Sequence, residues 1–189
     1  MKPFDYLSVL ISIVLGLSIT QLLGGFAGMV RARNRTVFYW PLPLQMLSLF
    51  LINVQAWWAM FGLRFKENWT FFGFFVVLLQ VVFMYLMSAT ITPDGEAREA
   101  ILDQREFFFR EKNWFFIVSL GALFSSLTKD FFVIGGSPGT LDIGAHFVFI
   151  ALILIGLLTR KDWVIKTIMP VTFLLYCSYI GLLFTQLPG

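Results

Sequence analysis

The chain has 189 residues, of which 58% are hydrophobic and 13% are charged, and its formal net charge at neutral pH is +3. A mean hydropathy of +0.81 excludes a soluble globular protein, because a soluble fold of this length cannot bury that much apolar surface. The basic residues lie in short loops and form no broad basic face, so we also exclude a nucleic-acid-binding protein and expect the lipid bilayer as the main partner.

Long uncharged runs divide the chain, and four of them, 6–30, 36–63, 68–93 and 167–189, contain no Asp, Glu, Lys or Arg. A helix needs about 20 apolar residues to cross a hydrocarbon core of about 30 Å. The runs are apolar on every side, whereas the strands of a membrane barrel alternate polar and apolar residues, so helices are the spanning structure. We predict an all-α integral membrane protein, a single transmembrane domain of six transmembrane helices at about residues 4–30, 37–63, 69–92, 113–134, 141–159 and 163–187.

The first predicted span has small residues at every fourth position. In lipid, helices associate by close approach of their backbones, and a row of small residues at this spacing provides the groove. We expect this helix-packing ridge to contact another helix of the bundle, with a homo-oligomer interface as the alternative, and we expect the neighbouring Gln21 to find a polar partner. The ridge consists of Ser8, Ser12, Gly16, Thr20, Gly24 and Gly28.

Polar side chains at helical spacing mark one face of spans two, four and six. Either these faces line a path for a solute, or interhelical hydrogen bonds worth about 1 kcal/mol each hold the helices together without a path. Both interpretations predict that the side chains point into the bundle. The candidate interior polar path is Gln21, Gln45, Ser48, Gln55, Ser119, Ser126, Thr172, Tyr176 and Tyr179.

The connection between spans three and four, residues 94–112, is much longer than the others. It opens with the helix start signal Pro93-Asp94 and continues with good helix formers. Its apolar residues, Phe108 and Phe109 among them, can share one face while its carboxylates point elsewhere. We predict a short cytoplasmic amphipathic helix lying on the membrane surface, with docking of a partner protein as the alternative.

Ten of the 14 Lys and Arg residues fall in the first, third and fifth connections, which six spans place on one side of the membrane. Because cytoplasmic loops carry the excess of basic residues, we predict that this side is cytoplasmic and that both termini are periplasmic. If the fourth predicted span does not cross the membrane, every later segment has the opposite orientation. The ten residues are Arg31, Arg33, Arg35, Arg98, Arg105, Arg110, Lys112, Arg160, Lys161 and Lys166.

Distinctive aromatic and apolar segments occupy the first two thirds of the chain: Phe4-Asp5-Tyr6-Leu7-Ser8, the continuation ISIVLGLSITQLL, Tyr39-Trp40-Pro41, Trp57-Trp58 and Asn113-Trp114-Phe115-Phe116. In these segments the chain resembles a group of small, uncharacterised polytopic proteins of the bacterial inner membrane. The resemblance implies a location in the bacterial inner (cytoplasmic) membrane. It implies no activity.

The sequence contains no constellation that names a reaction. No acidic or basic residue lies near the middle of a predicted span, where proton-coupled carriers and voltage sensors normally carry one. The chain has one histidine, His146, and one cysteine, Cys177, so we predict no haem or zinc site, no other cofactor and no intrachain disulfide. No serine is placed beside His146 by the sequence, and we predict that the protein is not an enzyme; a membrane-embedded enzyme is the remaining alternative.

Charged residues on the predicted outer side form a second candidate site. Asp142 and His146 are four residues apart at the start of span five and therefore share a helix face. With Asp5, Lys129 and Asp130 they form a candidate polar vestibule that feeds the polar faces, and His146 is its group that titrates near neutral pH. Alternatively, each residue anchors its own helix at the membrane interface.

These observations favour a six-helix membrane protein that passes or binds a small solute or ion, as a channel or transporter. The alternative is a non-catalytic accessory subunit that scaffolds a membrane complex. Both functions are compatible with a homo-oligomer or with another membrane protein as partner.

Overall fold

Six long helices account for most of the fold in a computed structural model that describes residues 3–93, 102–134 and 139–183. With the short turns that extend two of them, all six are long and apolar enough to cross a membrane. The prediction of an all-helical chain with six candidate spans is therefore confirmed. The helices are α1 (Pro3–Arg31), α2 (Pro41–Met60), α3 (Phe71–Ile91), α4 (Gln104–Lys129), α5 (Thr140–Leu158) and α6 (Asp162–Leu183).

The helices alternate in direction between two ends of the bundle. At one end, the rings of Phe4 and Trp69 stack at 6.5 Å, and the Lys66 ammonium group donates to the Val133 carbonyl at 2.6 Å. At the other end, a two-residue strand β1 (Thr36–Val37) pairs in parallel with a second, β2 (Leu102–Asp103). These contacts join the connection after α1 to the start of α4.

Helices α2 to α6 form a closed ring. In that ring α2 packs against α3, α3 against α4, α4 against α5, α5 against α6, and α6 returns to α2. Helix α1 lies outside the ring and packs against α2 and α3. An interior space of this bundle is therefore bounded by five helices and excludes α1.

Helix α1 packs through a different face from the predicted ridge. We call the line of buried residues on α1 its seam. Successive seam residues are alternately four and three positions apart, which is the repeat of two helices that pack in a left-handed supercoil. Within the seam, the Ser18 hydroxyl lies 2.8 Å from the Ser88 hydroxyl of α3, and both groups are buried. The buried residues of α1 are Ile11, Leu15, Ser18, Leu22 and Gly25.

The expectation that the ridge contacts another helix of the bundle is wrong. A Cβ atom added at Gly16, Gly24 or Gly28 meets no atom within 4 Å, and the Thr20 hydroxyl donates to its own helix at the Gly16 carbonyl. The seam of larger side chains buries more apolar surface than the ridge does, and this decides which face of α1 turns inward. The ridge faces out of the described bundle.

The predicted amphipathic helix over 94–112 is also wrong in its second half. Helix α4 begins at Gln104, where the Asp103 carboxylate accepts from the backbone N–H groups of Arg105 and Glu106 at 2.9 and 3.0 Å, and it continues without a break to Lys129. Phe108 is fully buried in the bundle. Asp103 is therefore the N-cap of the span-four helix. The first half of the prediction, with Ala97 and Ile101, lies outside the described residues.

A polar clamp joins three segments at this end. The Tyr39 hydroxyl donates to Asp162 at 2.8 Å, and the Tyr39 N–H donates to the Gln104 amide oxygen at 3.0 Å. Asp162 also pairs with Lys166 at 2.7 Å and with Arg105 at 3.4 Å. Burial, and then the hydrogen bond to Asp162, raise the pKa of the Tyr39 phenol well above its usual value, so the phenol stays protonated as a donor.

Lys112, counted above as a loop residue of the cytoplasmic side, is buried. Its ammonium group donates to the carbonyls of Gly156 and Leu157 at 3.3 and 3.1 Å and to the Asn113 side chain at 3.0 Å. The two carbonyls belong to the last turn of α5, where no intrahelical donor remains and where a positive charge is favourable. Lys112 therefore ties α4 to the end of α5.

Candidate functional site

A cavity of about 450 Å³ lies inside the ring of helices. Among the described residues, its lining comes from α2, α3, α4, α5 and α6, together with Leu63 and Asp130, and includes no residue of α1. This composition follows from the closed ring, because side chains on the inner faces of five helices do not meet at a common axis and leave space between them.

One part of the cavity wall is built around Asp142, in the first turn of α5. The Tyr179 hydroxyl of α6 donates to the Asp142 carboxylate at 2.6 Å. His146, one turn further along α5, places Nδ1 2.9 Å from the Asp142 backbone oxygen and 3.7 Å from its carboxylate. The histidine is buried, and its spacing of four residues from Asp142 is what brings the two together.

The end of α4 contributes a second charged pair to the same wall. The Lys129 ammonium group lies 3.6 Å from the Asp130 carboxylate, with side chains only 16% and 14% exposed. Asp130 begins a π-helical turn, Asp130–Ile134, and turns of this kind are frequent at functional sites. Asp130 also interacts electrostatically with Asp142 and His146, so the charged groups of α4 and α5 converge.

An aromatic cluster of Phe149, Tyr176 and Tyr179 lies beside these charges. Its ring centroids are 5.9, 6.4 and 6.0 Å apart. The Tyr176 hydroxyl donates to the Gln55 amide oxygen at 2.8 Å and so connects α6 to its neighbour α2. All three aromatic residues line the cavity.

The remaining lining is mostly apolar. It includes four methionines, and the unbranched methionine side chain adapts its shape to different apolar surfaces. Phe115 and Phe116 of α4 and Ile168 of α6 complete a wall without formal charge. The cavity therefore combines a charged, aromatic part with an apolar part. The methionines are Met60, Met84, Met87 and Met169.

Most residues of the two predicted sites line this one cavity. The members of the vestibule in the lining are Lys129, Asp130, Asp142 and His146. The members of the path in the lining are Gln45, Gln55, Ser119, Ser126, Thr172, Tyr176 and Tyr179. The sequence predicted a vestibule that feeds a separate path, whereas the structure places both sets around a single space.

Three predicted site residues lie elsewhere. Asp5 and Gln21 belong to α1, which is outside the ring, so neither lines the cavity. Ser48 is buried on α2, but its hydroxyl donates to the Leu44 carbonyl of its own helix at 2.9 Å. These three residues are not part of the site.

Gln80 of α3 lines the cavity and was not among the predicted residues. Its Oε1 atom is buried and accepts no hydrogen bond from the described residues. The signal in the sequence was that Gln80 is the one amide side chain of the run 71–91, which is otherwise strongly apolar. A buried acceptor of this kind costs about 1–3 kcal/mol unless a donor reaches it.

Within the described ranges, no group of three or more His, Cys, Asp or Glu side chains is placed to hold a metal ion. The lining instead offers carboxylates, amide oxygens, hydroxyls and aromatic faces, which bind by charge and hydrogen bonding.

No family model, no curated protein and no solved structure matches this chain.

Proposed function

We propose that this protein is a channel or transporter that binds a small amphiphilic solute inside the ring of helices and passes it across the membrane. The observation that carries the proposal is the cavity of about 450 Å³ with a charged, aromatic part and an apolar part. Small-molecule sites in proteins occupy about 300–1,000 Å³ and combine an apolar wall with a few polar groups, and this cavity has both properties.

The outer surface of the bundle supports a membrane location. Large apolar side chains on several helices face outward; Phe71, Leu158 and Leu182 are 82%, 79% and 75% exposed. An exterior with many exposed large apolar side chains is expected of a lipid-facing or protein-facing surface. Together with the resemblance described above, it supports placement in a bacterial inner membrane.

The proposed orientation puts both termini in the periplasm and the charged part of the cavity toward the outer end. Support comes from the excess of Lys and Arg in the first, third and fifth connections. Lys129 and Asp130 are at the end of the bundle that also holds Phe4 and Trp69, opposite the clamp of Tyr39 and Asp162.

The second candidate function is a non-catalytic accessory subunit of a membrane complex. The observation in its favour is the ridge of α1, whose glycines Gly16, Gly24 and Gly28 face outward with open space beside them. A scaffold, however, requires no interior cavity lined by polar groups from five helices, so the solute-binding proposal accounts for more of the molecule.

Filling the cavity tests the proposal. In Ala145→Trp, an indole enters the cavity from α5 beside the charged groups. Ala151→Trp adds the same ring to the exposed side of the same helix and is the matched control. We expect the first variant to abolish the thermal stabilisation that amphiphilic solutes confer on the purified protein, and the second to keep it. Equal stabilisation of both variants would contradict the proposal.

A further inference from the structure

The charges of the cavity lining do not balance. The lining contains the carboxylates of Asp130 and Asp142, the ammonium group of Lys129 and the imidazole of His146. With a neutral histidine, the part of the lining that the structure describes has one more negative than positive group. Lys129 is paired with Asp130 at 3.6 Å. The excess negative charge is therefore assigned to Asp142.

Asp142 has polar partners but no cationic lysine or arginine among the ion pairs of the described chain. Its partners are the Tyr179 hydroxyl, at 2.6 Å, and His146, whose Nδ1 lies 3.7 Å from the carboxylate. The Asp142 side chain is only 21% exposed. A carboxylate removed from water without a positive partner is costly, so a cation that enters the cavity gains the interaction that the protein itself does not supply.

The aromatic cluster of Phe149, Tyr176 and Tyr179 supplies the second half of a cation site. The negative face of an aromatic ring attracts an ammonium group within about 6 Å, and the attraction grows when water is excluded. Tyr179 belongs to the cluster and also holds Asp142, so the carboxylate and the rings are adjacent. The Oε1 atom of Gln80, which accepts no hydrogen bond from any described residue, adds an acceptor in the same cavity.

The rest of the lining sets the size and polarity of the occupant. The apolar wall with its four methionines fits a flexible hydrocarbon or aromatic body rather than a bare hydrated ion. An anionic solute is disfavoured, because the one ammonium group of the lining, on Lys129, is already paired with Asp130.

We propose that the solute is a monovalent organic cation, an ammonium group on an apolar body, with the ammonium group held by Asp142 and the aromatic cluster. This inference rests on the proposed function and narrows it to one class of solute. The apolar body occupies the methionine-lined part of the cavity.

Three probes with the same phenylbutyl body separate charge from shape: the trimethylammonium compound, its neutral tert-butyl isostere and the sulfonate. Binding is measured by calorimetry to the full chain in phosphatidylcholine nanodiscs, with empty nanodiscs subtracted. We expect the ammonium probe to bind at least about tenfold more tightly than the neutral isostere, which corresponds to the strength of one desolvated cation–π and charge interaction, and the sulfonate to bind weakest.

Asp142→Asn tests the charge, since it keeps the shape of the side chain and removes the negative charge. We expect this variant to bind the ammonium probe about tenfold more weakly, and the loss of affinity for the neutral isostere to be smaller. Glu106→Gln, an exposed carboxylate at the opposite end of α4, is the control and should change neither affinity. Phe149→Leu, which removes a ring but keeps an apolar side chain, provides a second variant if Asp142→Asn does not fold.

The outcomes separate this inference from the proposed function. Equal affinity for all three probes, or an unchanged ammonium affinity in both Asp142→Asn and Phe149→Leu, overturns the cation assignment while the solute-binding proposal stands. Failure of every probe to bind overturns both.

Discussion

The Tyr179 hydroxyl donates to the Asp142 carboxylate at 2.6 Å, and this contact joins α6 to the first turn of α5. The two residues are 37 positions apart, so no local pattern in the sequence links them. The contact fixes the carboxylate at the edge of the aromatic cluster and makes Asp142 the centre of the proposed binding site.

Tyr179→Phe removes this hydrogen bond and leaves the ring in place. We expect a loss of roughly 2 kcal/mol in unfolding free energy, because hydrogen bonds to a charged acceptor are among the strongest. Tyr176→Phe removes a bond to the neutral Gln55 amide and should cost roughly 1 kcal/mol. Thermal unfolding of both variants in detergent measures the difference, and a larger loss in Tyr176→Phe would contradict the role given to Asp142.

Adjacent glycines of α1 distinguish the seam from the outward ridge. In Gly25→Ala, the new Cβ collides with the Thr92 side chain and comes within 2.7 Å of the Met46 methyl group, so we expect a loss of about 1–3 kcal/mol. Gly24→Ala meets nothing within 4 Å and should stabilise the helix by about 0.5–1 kcal/mol.

The measurement for this pair is again thermal unfolding, combined with size-exclusion chromatography. Equal losses in Gly24→Ala and Gly25→Ala would show that the seam is misassigned. A changed oligomeric state in Gly24→Ala, without a loss of stability, would place the ridge in an interface between subunits.

Lys112→Met tests the buried ammonium group at the end of α5. The variant keeps most of the side-chain volume but leaves the Gly156 and Leu157 carbonyls without their donor, so we expect a loss of about 1–3 kcal/mol. Lys161→Met, at an exposed position nearby, is the control and should change stability by less than about 0.5 kcal/mol. Comparable losses of stability in the two variants would mean that Lys112 stabilises the fold by its positive charge and not by its hydrogen bonds to the two carbonyls.

Reporter fusions test the orientation. We expect alkaline phosphatase to be active when fused after Lys66 and green fluorescent protein to fluoresce when fused after Lys161. The second connection, with Lys66, carries few basic residues, whereas the fifth connection, with Lys161, belongs to the basic side. The reverse pattern at both positions would invert the bundle. If only the fusions at positions after Asp130 disagree with the predicted orientation, span four does not cross the membrane.

The sequence by itself determined the helical class of the fold and indicated many of the residues that line the cavity. Runs such as 6–30 and 68–93 are predicted as helices, because hydrocarbon would offer no partner for backbone polar groups, and their number follows from their length. The same reasoning predicted that the polar faces of spans two, four and six turn inward, since Gln55, Ser119 and Tyr176 would be costly to expose to lipid.

Tertiary structure alone decided which faces meet. Helical periodicity shows that residues share a face, but it does not show which neighbour that face contacts. For this reason the sequence did not show that the ridge of Gly16, Gly24 and Gly28 faces out of the bundle. It also placed Gln21 in the predicted path, although α1 does not line the cavity. The one amide of α3, Gln80, joins the site only because the ring of five helices turns it toward the cavity.

The start of α4 illustrates the same division. The sequence analysis identified one helix start signal here, Pro93-Asp94, and local propensity did not show that α4 begins later. In the structure, the Asp103 carboxylate caps the helix and Phe108 is buried, so residues from Gln104 onward continue into the span. Burial of the first turns of α4 against the bundle outweighs an amphipathic helix on the membrane surface, because close packing with Tyr39 stabilises Phe108.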